Sequence, residues 1–392
     1  MPEVSLILPV FNTGPYLREC LDSAVGQTLR DLEILCVDDG STDGSPEILQ
    51  EYAGRFTNIS VITHPENRSL LQARKSGALR ASGEYVMFLD SDDTLAPDAC
   101  EKAYAAIREA GADVLQFGVR VVGHGLVTDA GADSFQKWIN VMPDGPLTGG
   151  LLDACFVSHL FQWNLVNKIL SARVCKAAYR RLGDGYHNLS EDLLTMFFVL
   201  EEARKYACIP DALYTYHRGR GMTASGRPTP ERLRRACEEN AAVCGALRSA
   251  SSVNGGTERS KAIRAISAYF FSTGLRACRR MPESDRESCL SALYETWDDD
   301  PAVFGDLFLE KKQLAADTVR DLSRRSMALR AAATGAQSAL ADAQRERDAA
   351  AARLGEETAK NAALTSSVSF RLGRALTFLP RKARDLWRAL KG

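Results

Sequence analysis

The chain has no apolar run approaching the ~20 residues a helix needs to cross a bilayer. It has no Cys-X-X-Cys pair and no metal-finger spacing, and its ten cysteines are scattered. Cysteines used this way read as small buried hydrophobes of a reducing compartment, not as a disulfide framework. Charge of neither sign prevails: 49 Lys and Arg stand against 50 Asp and Glu, a formal net charge of −1. The balance gives no reason to expect a nucleic-acid partner. The start, MPEVSLILPVFN, lacks the basic flank and cleavage site of a signal peptide. A cytoplasmic location is therefore expected, with membrane contact limited to the inner face. Two nucleotide-binding signatures are missing as well. No GxxxxGK[ST] loop occurs and no GxGxxG follows the first strand, so any nucleotide is held without Walker or Rossmann loops.

What is present is an ordinary globular composition, 45% apolar and 25% charged. A length of 392 residues allows one large domain with an appendage, or two domains. The most informative stretch is YVMFLDSDDT, Tyr85–Thr94. An unbroken apolar run enters Asp90, Asp92 and Asp93, which reads as a strand buried on both faces and ending at the acids. Carboxylates this close repel one another unless a cation neutralises them. Hard oxygen ligands favour Mn²⁺ or Mg²⁺, with open positions for substrate phosphates. An isolated Asp-X-Asp is ordinarily a solvated turn. A calcium loop through Asp90, Asp92, Thr94 and Glu101 is set aside, because it requires glycine where Leu95 stands and follows a helix.

Strands expected at 4–10, 32–37, 59–64, 85–89 and 113–119 alternate with helices at 15–27, 45–56, 70–81 and 97–110. This alternation predicts an α/β fold with a mostly parallel sheet covered by helices on both faces. A second acidic loop, DDGSTDGS from Asp38 to Ser45, ends the second strand. Taken alone it is common strand-to-helix turn chemistry. With the Asp90–Asp93 turn it lies on one edge of one sheet, where such folds bind ligands. One acidic loop can accept hydrogen bonds from a base or ribose while the other holds a metal against a diphosphate.

Three stretches, LILPVFN at Leu6–Asn12, EILCVDDGSTDGS at Glu33–Ser45 and ARKSGALRASGEYVMFLDSDD at Ala73–Asp93, occur in this order and spacing. Together they resemble the inverting GT-A glycosyltransferases of family 2. The resemblance implies a nucleotide-sugar-binding domain and a set of roles. Pro9, Phe11 and Asn12 would lie beside the nucleotide's base and ribose. Asp39 would accept a hydrogen bond from the base, usually uracil, so a UDP-sugar is the expected donor. Asp90 would contact ribose or sugar, and Asp92 would coordinate the Mn²⁺ or Mg²⁺ bridging the diphosphate. Arg74 would approach the nucleotide, with a structural salt bridge as the competing role. The chain departs from the family where Asn67 is followed by Arg68 and Ser69 instead of the usual glycine.

Residues 123–150 are Gly- and Asp-rich with little periodicity, and loops shaping an acceptor site are expected there. FQWNLVNKIL, Phe161–Leu170, resembles the family's Trp-Asn-Lys stretch; Trp163 is either a wall for a sugar ring or a core aromatic. In NLSEDLLTMFFVL, Asn188–Leu200, Ser190 reads as the N-cap of a buried helix. Glu191 and Asp192 follow in its first turn, where acids suit the helix dipole in any case. The family places its catalytic carboxylate in such a pair. Asp192 is taken as the base and Glu191 as its orienting or acceptor-binding partner, with the reverse left open. LYTYHRGRGMTAS, Leu213–Ser225, offers His217 to the metal and Arg218 or Arg220 to phosphate.

The domains expected are a GT-A domain over 1–228, a helical region over 229–310, a coiled-coil-like helix over 311–366 and a basic amphipathic tail over 367–392. The seven-residue spacing of Leu322, Leu329, Ala336, Ala343 and Ala350 suggests a homodimer. The tail, with Trp387 among Arg381, Lys382, Arg384 and Arg388, suits an anionic membrane surface or a protein partner. The function expected is metal-dependent inverting sugar transfer to a glycan or lipid-linked acceptor in cell-surface polysaccharide synthesis. A nucleotidyltransferase wants a Gly-rich basic loop that Pro9–Pro15 does not supply. A non-catalytic glycan-binding scaffold has no need for Asp39, Asp92, Glu191 and Asp192 together.

Overall fold

A computed structural model describes residues 1–221, 229–250, 256–297 and 345–360. The chain divides into two compact units, Met1–Pro282 and Glu283–Gly392. The first unit is built on β1 (Val4–Val10), whose seven residues are all buried. Such a strand is covered on both faces, as its unbroken apolar run requires. It pairs in parallel with β2 (Leu32–Asp38) on one side and with β4 (Tyr85–Phe88) on the other, while β3 (Ile59–Thr63) pairs in parallel with β2. Three helices make the crossovers: α1 (Gly14–Val25), α2 (Ser45–Arg55) and α3 (Leu70–Arg80). This is the alternation read from the sequence, with boundaries within one or two residues.

Beyond β4 the sheet continues with mixed pairing. The short β5 (Thr94–Leu95) and helix α4 (Ala99–Ala110) lead into β6 (Val114–Gly123). Later come β7 (Leu147–Thr148), β8 (Lys168–Ser171) and β9 (Lys205–Arg218). β8 is antiparallel to both β4 and β6, and β9 is parallel to β6. The order is β3-β2-β1-β4-β8-β6-β9-β5, with β7 on β9. The ends of β1, β2 and β4 therefore share one edge, and both acidic loops open there.

Residues 123–150 are not all loop. Helix α5 (Asp129–Ile139) forms within them, started by Thr128, whose hydroxyl accepts the Gly131 N–H at 3.1 Å. Gly131 and the flanking acids mask its apolar face, where Phe135 and Trp138 stack at 5.4 Å. Trp163 is core: it packs against Trp138, against Tyr269 and against Phe156 of α6 (Leu151–Phe156). Helices α7 (Ala172–Arg181) and α8 (Glu191–Glu202) cover the sheet, and α9 (Pro230–Ser249) and α10 (Thr257–Arg279) complete the unit. The described parts of the second unit are α11 (Glu283–Trp297) and a helix over 345–360. Apart from 345–360, the proposed coiled coil and basic tail lie outside the described residues. Among the described residues no helix is long and apolar enough to cross a membrane.

Close approach of backbones at the crossover entering β4 depends on Gly83. A Cβ there would lie 2.7 Å from the backbone nitrogen of Ser5 in β1. Backbone cannot rotate away as a side chain can. Gly83→Ala is expected to lower stability by about 1–3 kcal/mol through overpacking, seen as a lower urea midpoint with an unchanged m-value.

Candidate active site

The site assembles from four segments at this edge. At the end of β1, Asn12 adopts φ 52°, and its side-chain oxygen accepts the Thr42 N–H at 2.8 Å. Its own N–H reaches the Ser41 hydroxyl at 3.1 Å, so β1 is tied to the first acidic loop. Pro9 is buried in the strand opposite Val37, whereas Phe11 is 44% exposed at the rim.

Asp39 is buried and largely claimed. Its Oδ1 lies 2.6 Å from His64 Nδ1 and accepts the Arg68 N–H at 2.9 Å, while its Oδ2 accepts the Ser69 N–H at 2.9 Å. A carboxylate offers about four lone-pair sites, so room for one further donor remains at Oδ2. The other ring nitrogen of His64 contacts the Ser76 hydroxyl at 2.8 Å. Ser69 takes φ 96°, a glycine-like backbone, although the family's glycine is absent. Holding a serine there costs on the order of 1–3 kcal/mol.

The second acidic loop follows β4, and its three carboxylates have separate fates. Asp93 is structural: its carboxylate accepts the Tyr214 hydroxyl and the His217 N–H, both at 2.6 Å. Asp90 Oδ1 accepts from Arg74 at 2.6 Å. Among the described residues Asp92 has no ion pair, and burial with the nearby Asp90 charge pushes its carboxyl up to about 6. The Gly221 backbone packs so tightly on it that a Cβ would collide with Asp92 Oδ2.

Arg74 links this loop to the third acidic segment. One arm of its buried guanidinium donates to Asp90 and the other to Glu191 Oε1 at the start of α8. Arg74 thus makes the salt bridges that the sequence allowed for it. Burial raises the Glu191 carboxyl to about 8, with Arg74 pulling against that shift. One guanidinium faces three carboxylates, so the cluster is left short of positive charge. Burial also raises the Asp192 carboxyl, offset by Arg74 and Lys168. Asp192 Oδ1 accepts the Leu193 N–H at 2.8 Å, and Oδ2 takes no bond from the described residues.

Ser190 does not cap α8. It sits in the left-handed region at φ 57° and makes no side-chain cap bond. His217 is occupied too: Nδ1 lies 2.9 Å from His124 Nε2, and Nε2 lies 3.5 Å from Thr94 Oγ1. Among the described residues no three His, Cys, Asp or Glu side chains converge to hold a metal ion by themselves. An ion that takes one or two protein carboxylates and completes its shell with phosphate oxygens and water does fit Asp92 and Asp90. The charge-burdened Asp92 carboxylate, which has no ion pair among the described residues, is the observation in its favour. Arg220, expected near phosphate, pairs with Glu19 at 2.7 Å, and Arg218 donates to the Gly131 carbonyl.

Three contributors escaped the sequence reading: His64, Tyr214 and Lys168. Lys168 is wholly buried, donating to Asn164 O at 2.5 Å and Asn167 Oδ1 at 3.0 Å, and burial lowers its ammonium to about 7. Its signal was visible, a lone lysine opening a run that continues into Ile169 and Leu170.

A parallel α/β edge with two acidic loops, joined by an arginine to an acidic helix start, defines a GT-A fold. Residues 5–169 match the model of glycosyl transferase family 2. The chain is 46% identical over 101 residues to the putative glycosyltransferase EpsH of Bacillus subtilis (strain 168), covering 26% of this chain and 29% of that protein. It is 39% identical over 115 residues to the poly(ribitol-phosphate) beta-glucosyltransferase of Bacillus spizizenii, covering 29% of this chain and 18% of that protein. The match thus spans under a third of either relative. Residues 1–349 of S. aureus TarS, in complex with UDP-GlcNAc, share the fold with TM-score 0.55 and 20% identity, covering 76% of this chain and 81% of that one.

Lys168 supplies positive charge that lowers the Asp192 proton affinity. If Asp192 works as a carboxylate, activity is lost as pH falls through its raised pKa. Lys168→Met removes the offset, so the acid limb of the pH–kcat profile is expected to move to higher pH. A limb that stays put or moves down would separate the two residues.

Proposed function

We propose that the chain transfers a sugar from a nucleotide-sugar, first of all a UDP-sugar, to a hydroxyl of a glycan or lipid-linked acceptor in cell-surface polysaccharide synthesis. The observation that carries this reading is the Arg74 fork. It fastens the donor-side carboxylate, Asp90, to the helix start that bears Glu191 and Asp192, so both halves of a displacement meet at one charge. The free acceptor position on Asp39 matches the imide N–H of uracil, which supports the UDP reading.

Inverting transfer is a single displacement. The acceptor oxygen attacks the anomeric carbon on the face opposite the departing diphosphate; the new C–O bond forms as the old one breaks. Asp192 Oδ2 takes the acceptor hydroxyl proton, and its raised proton affinity makes it a stronger base. Glu191, spent on Arg74, holds the helix start in place. Asp92, with Asp90 beside it, would hold Mn²⁺ or Mg²⁺, which when bound supplies charge stabilisation to the departing diphosphate. Peripheral membrane contact through 367–392 and a homodimer through 311–366 belong to the same proposal on sequence grounds.

Two substitutions and a chelation experiment test the assignments. Asp192→Asn is expected to leave UDP affinity within a few-fold while lowering kcat by about 10² or more, the scale of a lost general base. Loss of UDP binding instead would move Asp192 to the nucleotide site. Asp92→Asn is expected to abolish turnover with folding intact, and EDTA to do the same to the wild type. Undiminished turnover in EDTA sinks the metal role.

A further inference from the structure

Helix α9 lies wholly outside the residues that match the family, yet it meets the loop that delivers Glu191 and Asp192. Glu239 Oε2 accepts the backbone N–H of Leu189 at 2.9 Å and that of Asn188 at 3.4 Å. The next residue, Asn240, accepts the Ser190 hydroxyl through Oδ1 at 2.9 Å. Three successive residues immediately before the acidic pair are thus fastened to two successive residues of α9. On its other flank the loop is held by α3: the Leu70 N–H donates to Asn188 Oδ1 at 2.9 Å, and the Leu71 N–H to the His187 carbonyl at 3.2 Å.

Ser190 explains why the loop needs holding. Its left-handed backbone is unfavourable for a residue with a Cβ, and persists only where surroundings over-determine it. Its hydroxyl is turned away from α8, so that helix has no cap of its own here. The direction in which Glu191 and Asp192 leave the loop is therefore set by partners outside α8. A solvated helix face would account for part of Glu239, since its Oε1 pairs with Arg235 one turn earlier at 2.9 Å. It does not account for Oε2, which serves the loop from a side chain only 13% exposed. An ionised carboxylate bonding backbone N–H groups is also a stronger tie than a neutral acceptor.

We infer that Glu239 and Asn240 are positioning residues for the Glu191–Asp192 pair, holding the 188–190 backbone so that the first turn of α8 faces the acceptor. The inference rests on the reading of Asp192 as the base. Neither residue touches Asp39 or Asp92, so the effect falls on turnover and not on nucleotide binding. Because both N–H groups go to one oxygen, glutamine offers the same acceptor; alanine removes it.

The test uses the full-length chain, with UDP affinity from calorimetry, kcat and KM for release of UDP from a UDP-sugar, and thermal melts as folding controls. Glu239→Ala is expected to lower kcat about tenfold or more, since displacements near 1 Å can cost up to about 10². UDP affinity should stay within about threefold, and Glu239→Gln should recover kcat to within about threefold of wild type, on the same argument. Asn240→Ala should lower kcat in the same direction, and carries the test if Glu239→Ala does not fold. Wild-type kcat in the alanine variants, a parallel loss of UDP affinity, or a glutamine variant as impaired as the alanine one would each overturn the inference. Asp192→Asn run alongside keeps the failures apart. If it turns over normally, the base assignment falls; if it is inactive while Glu239→Ala is normal, only the positioning role falls.

Discussion

The fork of Arg74 is the constraint on which the site depends. Its guanidinium joins residues from two distant stretches, with Glu191 117 positions away along the chain. A buried ion pair of this kind is weak evidence for net stability, because desolvation offsets much of the attraction. Removing one partner is another matter, since a charge left buried and alone costs about 3–5 kcal/mol. The fork therefore acts as a specification. Any packing of α8 that withdraws Glu191 from Arg74 leaves a buried carboxyl without its partner and Arg74 with Asp90 alone.

Around that fixed point the other acids are sorted by what claims them. Asp93 is consumed by Tyr214 and the His217 backbone, and most of Asp39 by His64 and the 68–69 backbone. Asp92 and one oxygen of Asp192 are left without protein partners among the described residues. Both residues are half-buried, so these oxygens are open to a ligand or ion. Strain is concentrated in the same neighbourhood: Asn12, Ser69 and Ser190 all hold positive φ, and each borders an acidic segment.

Much of the fold was legible because its signals are local. β1, β2 and β4 announce themselves as apolar runs, and the acids that end them must share an edge once the strands are parallel. α5 was harder, since Gly131, Asp129 and Asp133 dilute an apolar face that only packing against β6 and β9 makes sense of. Ser190 misled for a related reason. Serine before an acidic helix start is a sound cap signal, but cap geometry is set by backbone angles, and α9 pulls Ser190 elsewhere. Trp163 could be given either role from sequence; its three aromatic neighbours come from segments far apart in the chain.

By itself the sequence determined the strand–helix alternation, the placing of two acidic loops on one sheet edge and the presence of an acidic pair at a later helix start. These follow from residue types and short-range periodicity. Tertiary structure alone decided which carboxylates are spent and which are free, that Arg74 serves two of them, that Lys168 lies buried within electrostatic reach of Asp192, and that Glu239 reaches the loop before it. The physical reason is that desolvation and hydrogen-bond competition belong to pairs of residues brought together by folding, and no local pattern records which pairs those will be.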